Sequence, residues 1–139
     1  MAETSSKKLQ CVVVTPETTV LDQPVDFIAV PLYDGELGIL PGRAPLVARL
    51  GYGELRARVG GAVSRHYIDG GFLQVTRDVV TVLSPRAIPA DRVDVASTRR
   101  DLDEANRQVP SNSDAYAARS ISIARARGKL RVASHAAKS

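Results

Sequence analysis

A chain of 139 residues, 44% hydrophobic and 24% charged, can bury one core of ordinary size and is not a disordered polymer. Aromatic residues make up only 4%, with no Trp, which argues against a stacking platform for single-stranded nucleic acid. The single cysteine excludes an internal disulfide and a zinc site built from cysteines. The net charge of +4 sits at one end: residues 1–90 carry nine basic and nine acidic side chains, residues 91–139 carry ten and six, and no acidic side chain follows Asp114.

The opening MAETSSKKLQ is polar, and no run approaches the roughly 20 apolar residues that span a bilayer. A soluble or peripherally docked protein is expected. LQCVVVTP reads as a strand halted by Pro16, with Cys11 a buried strand thiol. VDFIAVPL alternates Val25, Phe27 and Ala29 against Asp26, Ile28 and Val30. The next stretch, DGELGILPGRAP from Asp34 to Pro45, sets apolar residues among turn residues. It is expected to be a stiff loop folded back on the core, anchored by Ile39 and Leu40, with Glu36 and Arg43 held outward. PLVARL, GELRARV, AVSRHYID, GFLQVT and VVTVLSP then alternate as strands, with VGG, DGG and TRD read as the separators. Frequent turns without a helical period predict an antiparallel β-sandwich or barrel.

After Pro89 the period changes. ADRVDVASTRRDLDEANRQV places Val95, Thr98, Leu102, Ala105 and Val109 on one helical face, with Asp91 as N-cap, Asp94 in the first turn and Pro110 as the stop. PSNS makes a turn, with Ser113 a candidate cap. A second helix follows from about Asp114 to near Ala133, with Tyr116, Ile123 and Leu130 seven apart. The predicted fold class is α+β and mainly β: an antiparallel β-sandwich or barrel over residues 1–88, then an α-helical hairpin over residues 89–139. The helices carry thin apolar stripes filled out with Ala, Ser and Thr. The hairpin is therefore expected to dock weakly, as a conformational switch requires. The basic groups Arg119, Arg125, Arg127, Lys129 and Arg131 suit an acidic partner surface.

Signals for catalysis are poor. His66 and His135 lack metal-ligand spacing, and His66, in a strand beside Tyr67, reads as structural or surface. GxSxG, HExxH and CxxC are absent, GILPGR lacks the length and Lys-Ser/Thr of a P-loop, and GYGELR lacks a third glycine. No enzyme acting alone and no metal site are expected.

VVTPETTVLDQPVDFIAVPLYDGELGILPGRAPLVARL, followed by IDGGFLQVTRDVVTVLSPRAIPADRVD, resembles the ε subunit of bacterial and chloroplast F-type ATP synthases, the counterpart of mitochondrial δ. The resemblance runs over nearly the whole chain, and its GELGILPG-x-xPL core is specific. It implies a non-catalytic rotor subunit at the foot of the central stalk. The implied partners are the γ subunit, the c-subunit ring and the catalytic β subunits, with α subunits as further candidates. The implied location is the cytoplasmic face of the cell membrane, or the equivalent organelle membrane, held peripherally. Glu36 and Arg43 match positions at the c-ring interface, the latter commonly histidine in the family. Arg119, Arg125, Arg127, Lys129 and Arg131 match the basic hairpin that contacts β subunits and inhibits ATP hydrolysis in bacterial members. Some members bind ATP at the folded hairpin. Val93 and Asp94 match the start of that motif, and Arg125 and Lys129 keep basic character later in it. Ser97 and Thr98 stand where Arg and Ala belong, so ATP binding is expected to be millimolar or weaker and no cofactor is assigned. The alternatives from another class are a small basic-tailed β-barrel that binds nucleic acid and a free-standing sandwich scaffold.

Overall fold

The computed structural model describes residues 7–137. The strands are β1 (Leu9–Val14), β2 (Thr19–Val25), β3 (Phe27–Leu32), β4 (Gly35–Ile39), β5 (Leu46–Val59), β6 (Ala62–Thr76), β7 (Val79–Leu83) and β8 (Ala87–Pro89). A 3₁₀ turn at Ala90–Arg92 leads to α1 (Val95–Arg107) and α2 (Ser113–Ala137). The strands form one continuous sheet in the order β2-β1-β7-β6-β5-β3-β4, with β8 also on β6. Among the described residues only β1 and β7 pair in parallel.

The sheet becomes a sandwich by folding on itself. β5 and β6 pair along their whole length, yet their core-facing side switches partway. In the first half of β5, Leu46, Ala48 and Leu50 face the core; in the second half, Leu55 and Ala57 do. Side chains alternate along a strand, so a change from even to odd positions means that the pair has crossed between layers. The crossing falls at Gly51, Gly53, Gly70 and Gly71. Gly71 has φ +110°, and a Cβ there would lie 2.0 Å from the carbonyl oxygen of Leu83. DGG is thus a crease within β6 and not the turn expected from its glycines. PLVARL and GELRARV are accordingly one strand, as are AVSRHYID and GFLQVT. VGG and TRD do turn the chain, the latter with Arg77 and Asp78 both at positive φ. VDFIAVPL breaks at Asp26, whose carboxylate accepts from Lys8 and from the Gly60 N–H.

One layer is therefore β4, β3, the second half of β5, the first half of β6 and β8. The other is β2, β1, β7 and the remaining halves. Ile28, Val30, Ile39, Leu55 and Ile68 meet Leu9, Cys11, Val13, Val80 and Val82 between them, all fully buried. That apolar interior is the main driving force for the fold. The expected buried Cys11 is found there.

The hairpin departs from expectation at its caps and faces. Asp94, not Asp91, caps α1, its carboxylate accepting from the Ser97 N–H at 3.0 Å. Asn112, not Ser113, caps α2, accepting from the Ala115 N–H at 2.8 Å. α1 ends at Arg107, because the residue before Pro110 is pushed toward extended backbone, and Val109 is left 90% exposed. α2 runs on to Ala137, and its buried residues are Ala126, Gly128 and Val132. Tyr116, expected on the packing stripe, is exposed.

Candidate functional site

The hairpin covers the outer face of the β4-containing layer. Tyr52 pairs with Asp69, Glu54 with Tyr67, and Arg56 with Arg65 across β5 and β6. Steps of two keep all six residues on that face. Polar residues there would stand in water if α2 did not lie over them.

Asp69 is buried and shared. The Tyr67 hydroxyl donates to its Oδ1 at 2.7 Å, and Arg125 Nε of α2 donates to the same oxygen at 3.1 Å. The Asp69 backbone N–H donates to the Arg86 carbonyl. Burial, and then the hydrogen bond to Asp69, push the Tyr67 phenol far above its ordinary pKa. The Arg125 guanidinium also lies 5.4 Å over the Tyr52 ring, and the Lys129 ammonium 5.6 Å from the Tyr67 ring centre.

Glu54 makes a second clasp. Its Oε1 accepts from Arg56 at 3.3 Å and from Arg65 at 3.1 Å, while its Oε2 lies 3.0 Å from Nδ1 of His135 near the end of α2. Two arginines from the sheet neutralise this buried carboxylate, so it does not depend on the helix for its charge balance.

The sequence-predicted residues fall in three places. Glu36 lies on β4, on the same outer face, where Arg56 donates to it at 2.9 Å. The stretch around it is an edge strand rather than a loop. Ile39 anchors it, with Leu37 packed against the core beside it, whereas Leu40 is 58% exposed. Arg43 is exposed in the following turn, which is tied down by the Gly42 N–H donating to Asp78 at 2.7 Å. Arg119 closes α1, donating to the carbonyls of Ala105 at 3.0 Å and Asn106 at 3.5 Å, where the helix end is negative. Arg127 and Arg131 are exposed. Arg125 and Lys129 line a groove of about 280 Å³ between the helices, together with Thr98, Asp101 and Glu104. Asp94 is not among its lining residues, because its carboxylate is used as the cap.

A groove with two carboxylates, whose arginine is already paired with Asp69, is a poor cradle for a triphosphate. Sequence reasoning missed Asp69, Glu54, Tyr67 and Gly128. No local signal marks the two carboxylates, which stand on the face opposite the core positions of their strands.

His66 is buried in β6, and its Nδ1 has no hydrogen-bond partner among the described residues. Among those residues no group of three or more His, Cys, Asp or Glu is placed to hold a metal ion. Among the described residues no helix is long and apolar enough to cross a membrane. The chain is a β-sandwich carrying a helical hairpin clasped through ionic and cation–π contacts.

The sequence profile of "ATP synthase, Delta/Epsilon chain, beta-sandwich domain" matches residues 8–90. The ATP synthase epsilon chain of Rhodopirellula baltica is 47% identical over 123 residues, covering 88% of this chain and 96% of that one. That of Syntrophobacter fumaroxidans is 34% identical over 130 residues, covering 92% and 97%. A chain in the cryo-EM structure of the Euglena gracilis mitochondrial ATP synthase, OSCP/F1/c-ring, shares the fold with TM-score 0.78 at 24% identity, covering 95% of this chain and 82% of that one. The chain belongs to the epsilon chain family of F-type ATP synthases.

Proposed function

We propose that the chain serves as the non-catalytic central-stalk subunit of an F-type ATP synthase, with its sandwich joined to γ and to the ring of c subunits. The observation that carries this reading is the alignment with epsilon chains along most of both lengths. The relatives give the nucleic-acid alternative no support. The complex would hold this subunit peripherally, at the cytoplasmic face of a cell membrane or its organelle equivalent. The division into a sandwich over residues 1–88 and a hairpin over residues 89–139 is part of the proposal: the first binds, the second regulates.

Glu36 and Arg43 are the groups offered to the ring. Glu36 is exposed and oriented by Arg56, and Arg43 stands on a turn braced by Asp78. A Glu36→Lys rotor should lose coupling between ion flow and ATP synthesis. Full coupling would remove Glu36 from that interface.

In the inhibitory reading, the hairpin lifts and presents Arg119, Arg125, Arg127, Lys129 and Arg131 to acidic segments of the β subunits. Arg125 and Lys129 are held against the sandwich while the hairpin is docked and Arg119 is held by α1, so lifting and opening the hairpin would free charge that the folded state engages. Co-expression with γ and the catalytic subunits, with and without residues 90–139, tests this. Deletion should raise ATPase activity; unchanged activity would leave the hairpin a brace. Asp94, Arg125 and Lys129 should give ATP binding no tighter than millimolar by calorimetry, given Asp101 and Glu104 in the same groove.

A further inference from the structure

We propose that Gly128 sets the balance between the docked and the released hairpin, an inference that rests on the reading of the hairpin as movable. Gly128 lies in the interior of α2 and is buried against the sheet. A Cβ there would lie 2.8 Å from the carbonyl oxygen of Tyr52, 3.2 Å from its carbonyl carbon and 3.1 Å from Cε1 of Tyr67. None of these can yield easily. Tyr52 is mid-strand in β5, paired with Asp69, and the Tyr67 ring is fully buried with its hydroxyl held by Asp69. The missing methyl is what lets the helix backbone settle onto the strand.

The close approach positions the rest of the clasp. Arg125 and Lys129 flank Gly128 along the helix, one reaching Asp69 and the Tyr52 ring, the other the Tyr67 ring. Raising α2 by the depth of a methyl group would stretch all three contacts together. A released α2 has the opposite requirement. Glycine is the poorest helix former after proline, so a free helix of this sequence would gain from alanine at the same position. One atom thus carries opposed demands: its absence favours docking, and its presence favours a straight, released helix.

The test uses the isolated full-length chain carrying Gly128→Ala, with Ser134→Ala, an exposed position on the same helix, as the control. Hydrogen exchange is read separately for α2 and for β5–β6. The expected result for Gly128→Ala is α2 exchange about tenfold faster, with the β5–β6 amides unchanged and Ser134→Ala like wild type. Unchanged or slower α2 exchange would overturn the proposal. So would faster exchange throughout β5–β6, since Gly128 would then support the whole fold rather than the hairpin. In the assembled enzyme the same substitution should lower ATPase activity. Faster α2 exchange with unaltered ATPase would sustain the role of Gly128 in docking and overturn the inhibitory reading of the hairpin.

Discussion

His66 shows how burial alone gives a side chain a pH response. Its ring is buried, and desolvation lowers its pKa below 6.5 despite the opposing pull of Asp91. The unfolded chain takes up a proton near pH 6.5 that the folded chain refuses, so the unfolded state binds more protons below that point. Stability should therefore fall as pH drops through about 6.5 and show no such contribution above it. His66→Gln should flatten that part of the slope, read from denaturant midpoints across the range. Cys11 should be silent in the native state: burial, then Asp22, push its thiol up to about 12. Alkylation by iodoacetamide should proceed only once the chain is unfolded. Both residues were legible as strand positions. Asp69 and Glu54 were not, because their partners Arg125 and His135 come from a helix far along the chain and no local pattern announces them.

Among the elements, β1 and β7 announced themselves through period two, and β5 and β6 only as fragments. Glycine doublets usually mark turns, and nothing local distinguishes a turn from a strand that bends to change layers. The difference lies in the approach of Leu83 to Gly71, a contact set by the folded sheet. Gly71→Ala should destabilise the protein by about 3 kcal/mol or more, combining a left-handed backbone with a clash against a carbonyl. Urea unfolding checks it, with Gly61→Ala, where a Cβ meets open space, as the comparison. The packing face of α2 was illegible for another reason. Ala126 and Gly128 carry almost no hydrophobic signal, whereas Tyr116 carries a strong one and points to water.

For the whole molecule, the union of hairpin and sandwich rests on little apolar area. Val132 is the largest side chain that α2 buries completely, worth about 1.5–3 kcal/mol. The ionic clasp should matter correspondingly. Arg125→Ala leaves Asp69 buried with Tyr67 as its remaining side-chain donor, and should weaken docking by about 1–2 kcal/mol after allowance for the half-exposed guanidinium. Arg127→Ala should change docking little. Combining Arg125→Ala with Asp69→Asn should cost less than the sum of the two, a coupling that α2 exchange rates would measure. The crease has a mechanical consequence as well. Because β5 and β6 each belong to both layers, one layer cannot slide over the other as in two separately stacked sheets. Twisting them apart would have to shear backbone hydrogen bonds rather than slip side chains past each other. A torque applied at β4 would pass through a continuous ladder to β2, leaving the sandwich stiff in torsion whatever the state of the hairpin on its outer face.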